Sequence, residues 1–235
     1  MDRNAILKLL RDRLADVERR LTAACARAGR PRGDVTLVTV TKTVSSDVAA
    51  LLPELGLIDL GENRPQELWR KAGALPPSIR WHLIGHLQRN KIEATLPVTH
   101  LIHSVDSVRL LQALDDAAKK QQRPVDALLE VNVAGEASKH GFAAHEASSL
   151  IPAIQALRNV RVSGLMTMAP LQEAEACRPV FVALRRLRDV LGKELSPPHD
   201  LRRLSMGMSN DFEVAVEEGA TMVRLGSVLF EGLTP

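Results

Sequence analysis

The chain has 235 residues, 45% of them hydrophobic and 25% charged, which supplies a full-sized core and excludes a disordered chain. Its formal charge of +3 comes from Lys and Arg scattered among acids, as in Arg11-Asp12-Arg13, without the concentrated basic patch that nucleic-acid binding needs. Cys25 and Cys177 lie outside any CxxC or Cys/His cluster, so no metal or redox centre is expected, and no run reaches the ~20 apolar residues of a membrane span.

The N-terminal MDRNAILKLLRDRL alternates charge with aliphatics and lacks the apolar centre of a signal peptide. With two unpaired thiols, this points to the cytoplasm. Ile6, Leu10, Leu14, Val17, Leu21 and Ala24 recur at steps of three and four, predicting one amphipathic helix that Gly29 and Pro31 end. Eight apolar runs then read as strands: Val35–Lys42, Leu57–Glu62, Ile79–Gly85, His100–Ser104, Ala127–Val133, Val160–Met168, Arg203–Met208 and Met222–Leu225. Helical patterns fill the gaps, so the expected fold is α/β, a single (β/α)8 TIM barrel over residues 1–235 with an extra N-terminal helix. An open doubly wound sheet would favour a glycine fingerprint after the first strand, where this chain has Thr43, Val44, Ser45 and Ser46.

Local signals punctuate the pattern. Asp106 is placed to cap the helix after the fourth strand, and Asn210 with Glu213, like Asn63 with Gln66, has capping-box spacing. The helix from Phe212 to Glu218 should end at Gly219, and Pro53, Pro152 and Pro179 should each break or kink a helix.

In a barrel, chemistry gathers where strands end. Those positions carry Lys42, then Glu62 and Asn63, His82 and Gly85, Ser104 and Asp106, Asn132, and Thr167. The last two loops, LSMGMSNDFE and MVRLGSVLFEG, place Ser205, Gly207, Ser209, Gly226 and Ser227 where such folds hold phosphate. Lys42 reads either as a tethered surface charge or as a Schiff-base nucleophile, and Arg224 either as half of a salt bridge to Glu62 or Asp211 or as part of the site. Together with a phosphate site they favour a phosphorylated aldehyde. His82 could line the pocket or sit in the core, and Met166, Met168, Met206 and Met208 read as core or pocket wall. Glu130, Glu136, Lys139 and His140 read as solvated charges.

The blocks VTVTKT, LGENRPQE, WHLIGHLQRNK, HSVDS, EVNVAGEASKHGF, GLMTMAP and LSMGMSNDFEVAVEEGATMVRLGSVLFEG resemble the YggS/PROSC family of pyridoxal 5′-phosphate (PLP) binding, or PLP homeostasis, proteins. That resemblance implies the fold-type III barrel of the alanine racemase N-terminal domain and PLP as cofactor. It makes Lys42 the Schiff-base lysine, places Asn63 at the cofactor, sets Arg224 against the pyridine nitrogen, and puts Ser205, Ser209, Gly226 and Ser227 in the phosphate stretches. His82 and Met166 join this cofactor set. Departures lie at the rim: Val44 where a second lysine is common, Arg64 in place of an aromatic, and His86 and Arg89 in IGHLQRNK.

An arginine facing the pyridine nitrogen weakens PLP as an electron sink, and the chain has no tyrosine to act as a second base. The implied role is therefore PLP carriage and homeostasis, with little or no catalysis and with apo PLP-dependent enzymes as partners of a monomer. A racemase-like PLP enzyme and a cofactor-free Schiff-base aldolase are the rivals.

Overall fold

Short runs of buried residues, bounded by turns, alternate with amphipathic helices along the chain. The computed structural model describes residues 1–135 and 140–233. In order come α1 (Arg3–Arg27), β1 (Thr36–Val40), α2 (Ser46–Ala49), β2 (Asp59–Glu62), α3 (Pro65–Ala74), β3 (Arg80–Leu83), α4 (Ile92–Thr95), β4 (Leu101–Val105) and α5 (Val108–Lys120). They are followed by β5 (Val125–Asn132), β6 (Phe142–Ala143), α6 (Ile151–Gln155), β7 (Val160–Met166), α7 (Ala174–Leu191), β8 (Arg203–Ser205), α8 (Phe212–Glu217), β9 (Met222–Leu225) and α9 (Ser227–Phe230).

Eight of these strands pair in parallel in the order β4-β3-β2-β1-β9-β8-β7-β5, and β5 returns to β4 to close a (β/α)8 barrel. Closure brings β9 beside β1, with Arg224 opposite Val38. All eight expected strands occur. The largest shift is at β8, which ends at Ser205 rather than Met208, while the two-residue β6, which pairs in parallel beside Val131 and Asn132 of β5, is an addition to the expected set.

Strand alternation separates an inner from an outer face. Leu60, Trp81, Ile102, Leu129, Leu165 and Val223 join the large core between sheet and helices. Leu101, Leu128, Met166 and Met222, neighbours of residues in that core, form a separate cluster inside the barrel. By the same parity Val38, Val40 and Lys42 lie on the inner side of β1, whereas Thr41 and Glu62 lie outside.

Helix α1 is started by Asp2, whose carboxylate accepts from the Ala5 N–H at 2.8 Å. It buries Leu10, Val17, Leu21 and Ala24, and Arg20 and Arg27 pair with Glu213 and Glu217 of α8. Burying each of the Leu and Val side chains contributes about 1.5–3 kcal/mol. Among the described residues no helix is long and apolar enough to cross a membrane.

Several caps differ from expectation. Ser107, not Asp106, caps α5 by accepting from Leu110 N, which leaves Asp106 to bond His86. Asn210 donates to the Gln172 carbonyl, and α8 starts after Asp211 without a side-chain cap. Arg64 precedes α3; Pro65 at its first turn has no N–H to satisfy, so the Asn63–Gln66 box does not form. Pro53 and Pro152 do start new short helices, but α7 runs through Pro179. Its buried face of Cys177, Phe181, Leu184 and Leu191 offsets the one missing hydrogen bond.

Candidate functional site

Lys42 stands two residues beyond the end of β1, on the inner side and exposed at the barrel mouth. Among the described residues it has no hydrogen-bond or ion-pair partner. The expected strand end at Lys42 is therefore Val40, and the lysine that is buried is another one, Lys71 of α3. Its Nζ donates to Glu62 Oε1 at 2.5 Å and to the Thr41 carbonyl at 2.7 Å, while Thr41 Oγ1 donates to the same carboxylate oxygen at 2.7 Å. This pair braces the backbone just before Lys42. It also removes Glu62 as a partner for Arg224, because Glu62 faces outward.

Arg224 is buried on the inner face of β9. Neither Glu62 nor Asp211 pairs with it. Its Nη1 donates to the carbonyl (2.9 Å) and the hydroxyl (2.7 Å) of Ser205, and its Nη2 to the Thr167 carbonyl at 3.0 Å. Guanidinium has five N–H donors. The Nε–H and one Nη2–H are left without an acceptor among the described residues. Burial pulls the Arg224 pKa down to about 10, partly opposed by Glu130 and Asp211, so the group is still charged at neutral pH.

A polar chain runs away from Arg224 through the barrel interior. Ser205 Oγ lies 2.8 Å from His103 Nδ1, His103 Nε2 lies 2.9 Å from His82 Nδ1, and His82 Nε2 lies 3.0 Å from Asp59 Oδ1. Asp59 also pairs with Arg80. His82, His103 and Ser205 are fully buried. Burial pushes both histidines down, His103 further, since a proton on it would be repelled by a protonated His82 and by the charge of Arg224. Both rings are thus neutral. Burial would raise Asp59, but hydrogen bonds from His82 and Arg80 prevail and hold it below the usual range.

This arrangement reassigns several expected site residues. His82 has both ring nitrogens engaged by protein groups, Met166 packs in the inner apolar cluster, and the Ser205 hydroxyl belongs to the Arg224 network rather than to a phosphate loop. His103 and Asp59 were missed. The available signal was a polar residue at an inner position of an otherwise apolar run, as in LIDLG and LIHSV.

The two glycine-containing loops meet as expected. Gly207 has φ +93°, and a Cβ there would come within 2.6 Å of Ala215 Cβ. The N–H groups of Gly226 and Val228, at the start of α9, converge on Ser209 Oγ at 3.4 Å each. Ser227 is exposed beside them. These long contacts are ones an anionic oxygen could replace with stronger bonds. On the other side of β1, just after β2, Asn63 is exposed and held by Gly85, where a Cβ would approach Asn63 O to 2.2 Å.

Glu130 is buried on the inner face of β5, not solvated; burial first and Asp106 second raise its pKa. His140 is exposed and stacks on His86 at 5.1 Å, and His86 Nδ1 bonds Asp106 Oδ2 at 3.0 Å. Although no metal spacing is visible in the sequence, the ligand atoms of these three residues lie within 4.8 Å of one another. Glu136 and Lys139 lie outside the described residues.

An exposed amine, a buried charged guanidinium with donors to offer, and two adjoining loops rich in N–H groups make a barrel site suited to a phosphorylated carbonyl compound. Residues 13–235 match the family described as alanine racemase, N-terminal domain, which defines the class. A relative from Aquifex aeolicus named pyridoxal phosphate homeostasis protein is 44% identical over 223 residues, covering 93% of this chain and 96% of its own length. The crystal structure of an unknown protein from Bifidobacterium adolescentis superposes with a TM-score of 0.92 at 36% identity, covering 98% and 97% of the two chains. PipY of Synechococcus elongatus, solved with PLP bound, superposes at 0.80 with 32% identity, covering 94% and 99%. The chain belongs to the pyridoxal phosphate homeostasis protein family.

Proposed function

We propose that this protein binds PLP, held covalently as an imine by Lys42, and serves as a carrier that limits the free aldehyde and hands it to apo PLP-dependent enzymes. The observation that supports this most is the Lys42 amine, exposed at the barrel mouth without a partner among the described residues. Arg224 directs its unused N–H groups toward the pyridine nitrogen, Asn63 holds the rim, and Ser209, Gly226 and Ser227 receive the phosphate. Bound PLP supplies an aldehyde and a conjugated ring that can accept electrons.

The residues favour holding over turnover. A charged guanidinium donates to a ring nitrogen and so keeps it unprotonated, which weakens electron withdrawal. No tyrosine is available as a second base. The carrier acts as a monomer in the cytoplasm.

Assaying the PLP-loaded protein against a panel of amino acids tests the carrier reading. The expectation is turnover no faster than free PLP at the same concentration. Brisk racemisation or elimination abolished by Lys42→Ala would overturn it in favour of a fold-type III enzyme.

A further inference from the structure

The polar chain beneath the site has only one possible direction. An arginine can only donate hydrogen bonds, so Arg224 Nη1–H makes Ser205 Oγ an acceptor and leaves the serine proton to reach His103 Nδ1. His103 then carries its proton on Nε2 and donates to His82 Nδ1; His82 in turn carries its proton on Nε2 and donates to Asp59. At the far end a carboxylate can only accept. Donor-only and acceptor-only termini fix both histidine tautomers, and protonating His82 at Nδ1 would set two N–H groups against each other.

We infer that Asp59, His103, His82 and Ser205 are positioning residues that act through Arg224: a one-way hydrogen-bond wire from the barrel interior orients the guanidinium and keeps it donating to the bound ring nitrogen. This rests on the reading that PLP occupies the mouth. The wire matters because Arg224 has no carboxylate in contact among the described residues: Glu130 and Asp211 act on it only through space, and a third carboxylate, Asp59, already paired with Arg80, is linked to it through three intervening side chains. Coupled hydrogen bonds polarise one another in a low-dielectric interior, which lets this distant carboxylate stabilise the buried cation. The charged or titratable groups around the wire are Arg80, His100, Arg203, Glu130 and Asp211. His100 meets His82 edge-on at 5.6 Å.

Two readouts test the wire and keep it separable from the cofactor reading. In the PLP-free protein, nitrogen NMR of labelled histidines should show His82 and His103 as neutral Nε2–H tautomers at neutral pH, titrating only below the ordinary histidine range. Either ring in the Nδ1–H form, or titrating near the ordinary histidine value, overturns the wire whether or not PLP binds.

The second readout is PLP affinity and the pH dependence of the bound-PLP absorbance in wild type, H103Q, H103F and D59N. Glutamine can accept from Ser205 and donate to His82, so H103Q should bind within about threefold of wild type. H103F and D59N should each weaken binding by about tenfold or more and introduce a pH-dependent spectral change absent from wild type. Wild-type behaviour of D59N, or equal losses in H103Q and H103F, overturns the proposal even if H103F fails to fold. No uptake by the wild type would sink the cofactor reading, and the ring-nitrogen role with it, while the NMR result on the wire itself would stand.

Discussion

Lys71 shows how one buried charge can set up another, useful one. Its ammonium is 1% exposed and depends on Glu62 and the Thr41 carbonyl, and Glu62 Oε2 has no hydrogen-bond partner among the described residues. Removing one member of such a pair leaves the other charged in a low-dielectric interior, which costs about 3–5 kcal/mol. Lys71→Ala should therefore lower the unfolding free energy by that amount in urea denaturation. Lys71→Met combined with Glu62→Gln should recover most of it, and a single-mutant loss under about 1 kcal/mol would contradict the pairing. Lys42 and Arg224 were legible in the sequence because a cation is conspicuous at the end of an apolar strand. Lys71 was not, since a lysine on an amphipathic helix reads as solvent-facing until the packing angle of that helix is known.

At the scale of elements, close approach explains the glycines that matter. Gly207 lies between β8 and α8, at φ +93° and with no room for a Cβ beside Ala215 and Phe212. Gly207→Ala should cost about 1–3 kcal/mol of stability and displace the loop that carries Ser209, weakening PLP binding more than Ser209→Ala does. Equilibrium unfolding and PLP titration of both variants check this; unchanged binding in Gly207→Ala would remove the loop from the site. The order of strands and helices was readable from periodicity, and barrel closure followed from counting eight. Inner and outer faces were less readable, because they depend on where each strand starts. Ser205 shows the consequence: as the last residue of β8, on its inner face, it meets Arg224 inside the barrel instead of standing in the loop beyond the strand.

Across the whole molecule, buried neutral histidines make stability depend on pH. His82, His103, His100 and His199 all have folded pKa values below the ordinary 6.5, chiefly through burial. Below that value the unfolded chain binds more protons than the folded one, so folding stability falls as pH falls. Each fully shifted histidine contributes a slope of about 1.4 kcal/mol per pH unit. Glu130 and Asp211, raised by burial, act in the opposite sense, since their folded forms retain protons longer as pH rises. The histidines titrate within this window, and carboxylates held low, such as Asp59, Asp115 and Asp126, act in the same sense toward its acid end, which predicts a lower Tm at pH 5.5 than at pH 7.5, with a smaller difference in H103Q. A Tm that rises on acidification would mean that the histidines are charged in the folded state.

The central claim is that Lys42, above Arg224 in the barrel mouth, is the residue that holds PLP. Incubation with PLP, borohydride reduction and peptide mapping tests it most directly. The account predicts a visible imine absorbance that reduction abolishes, with the label on the peptide containing Lys42 and none in Lys42→Ala. Label on another lysine, or no imine absorbance in the wild type, would contradict it.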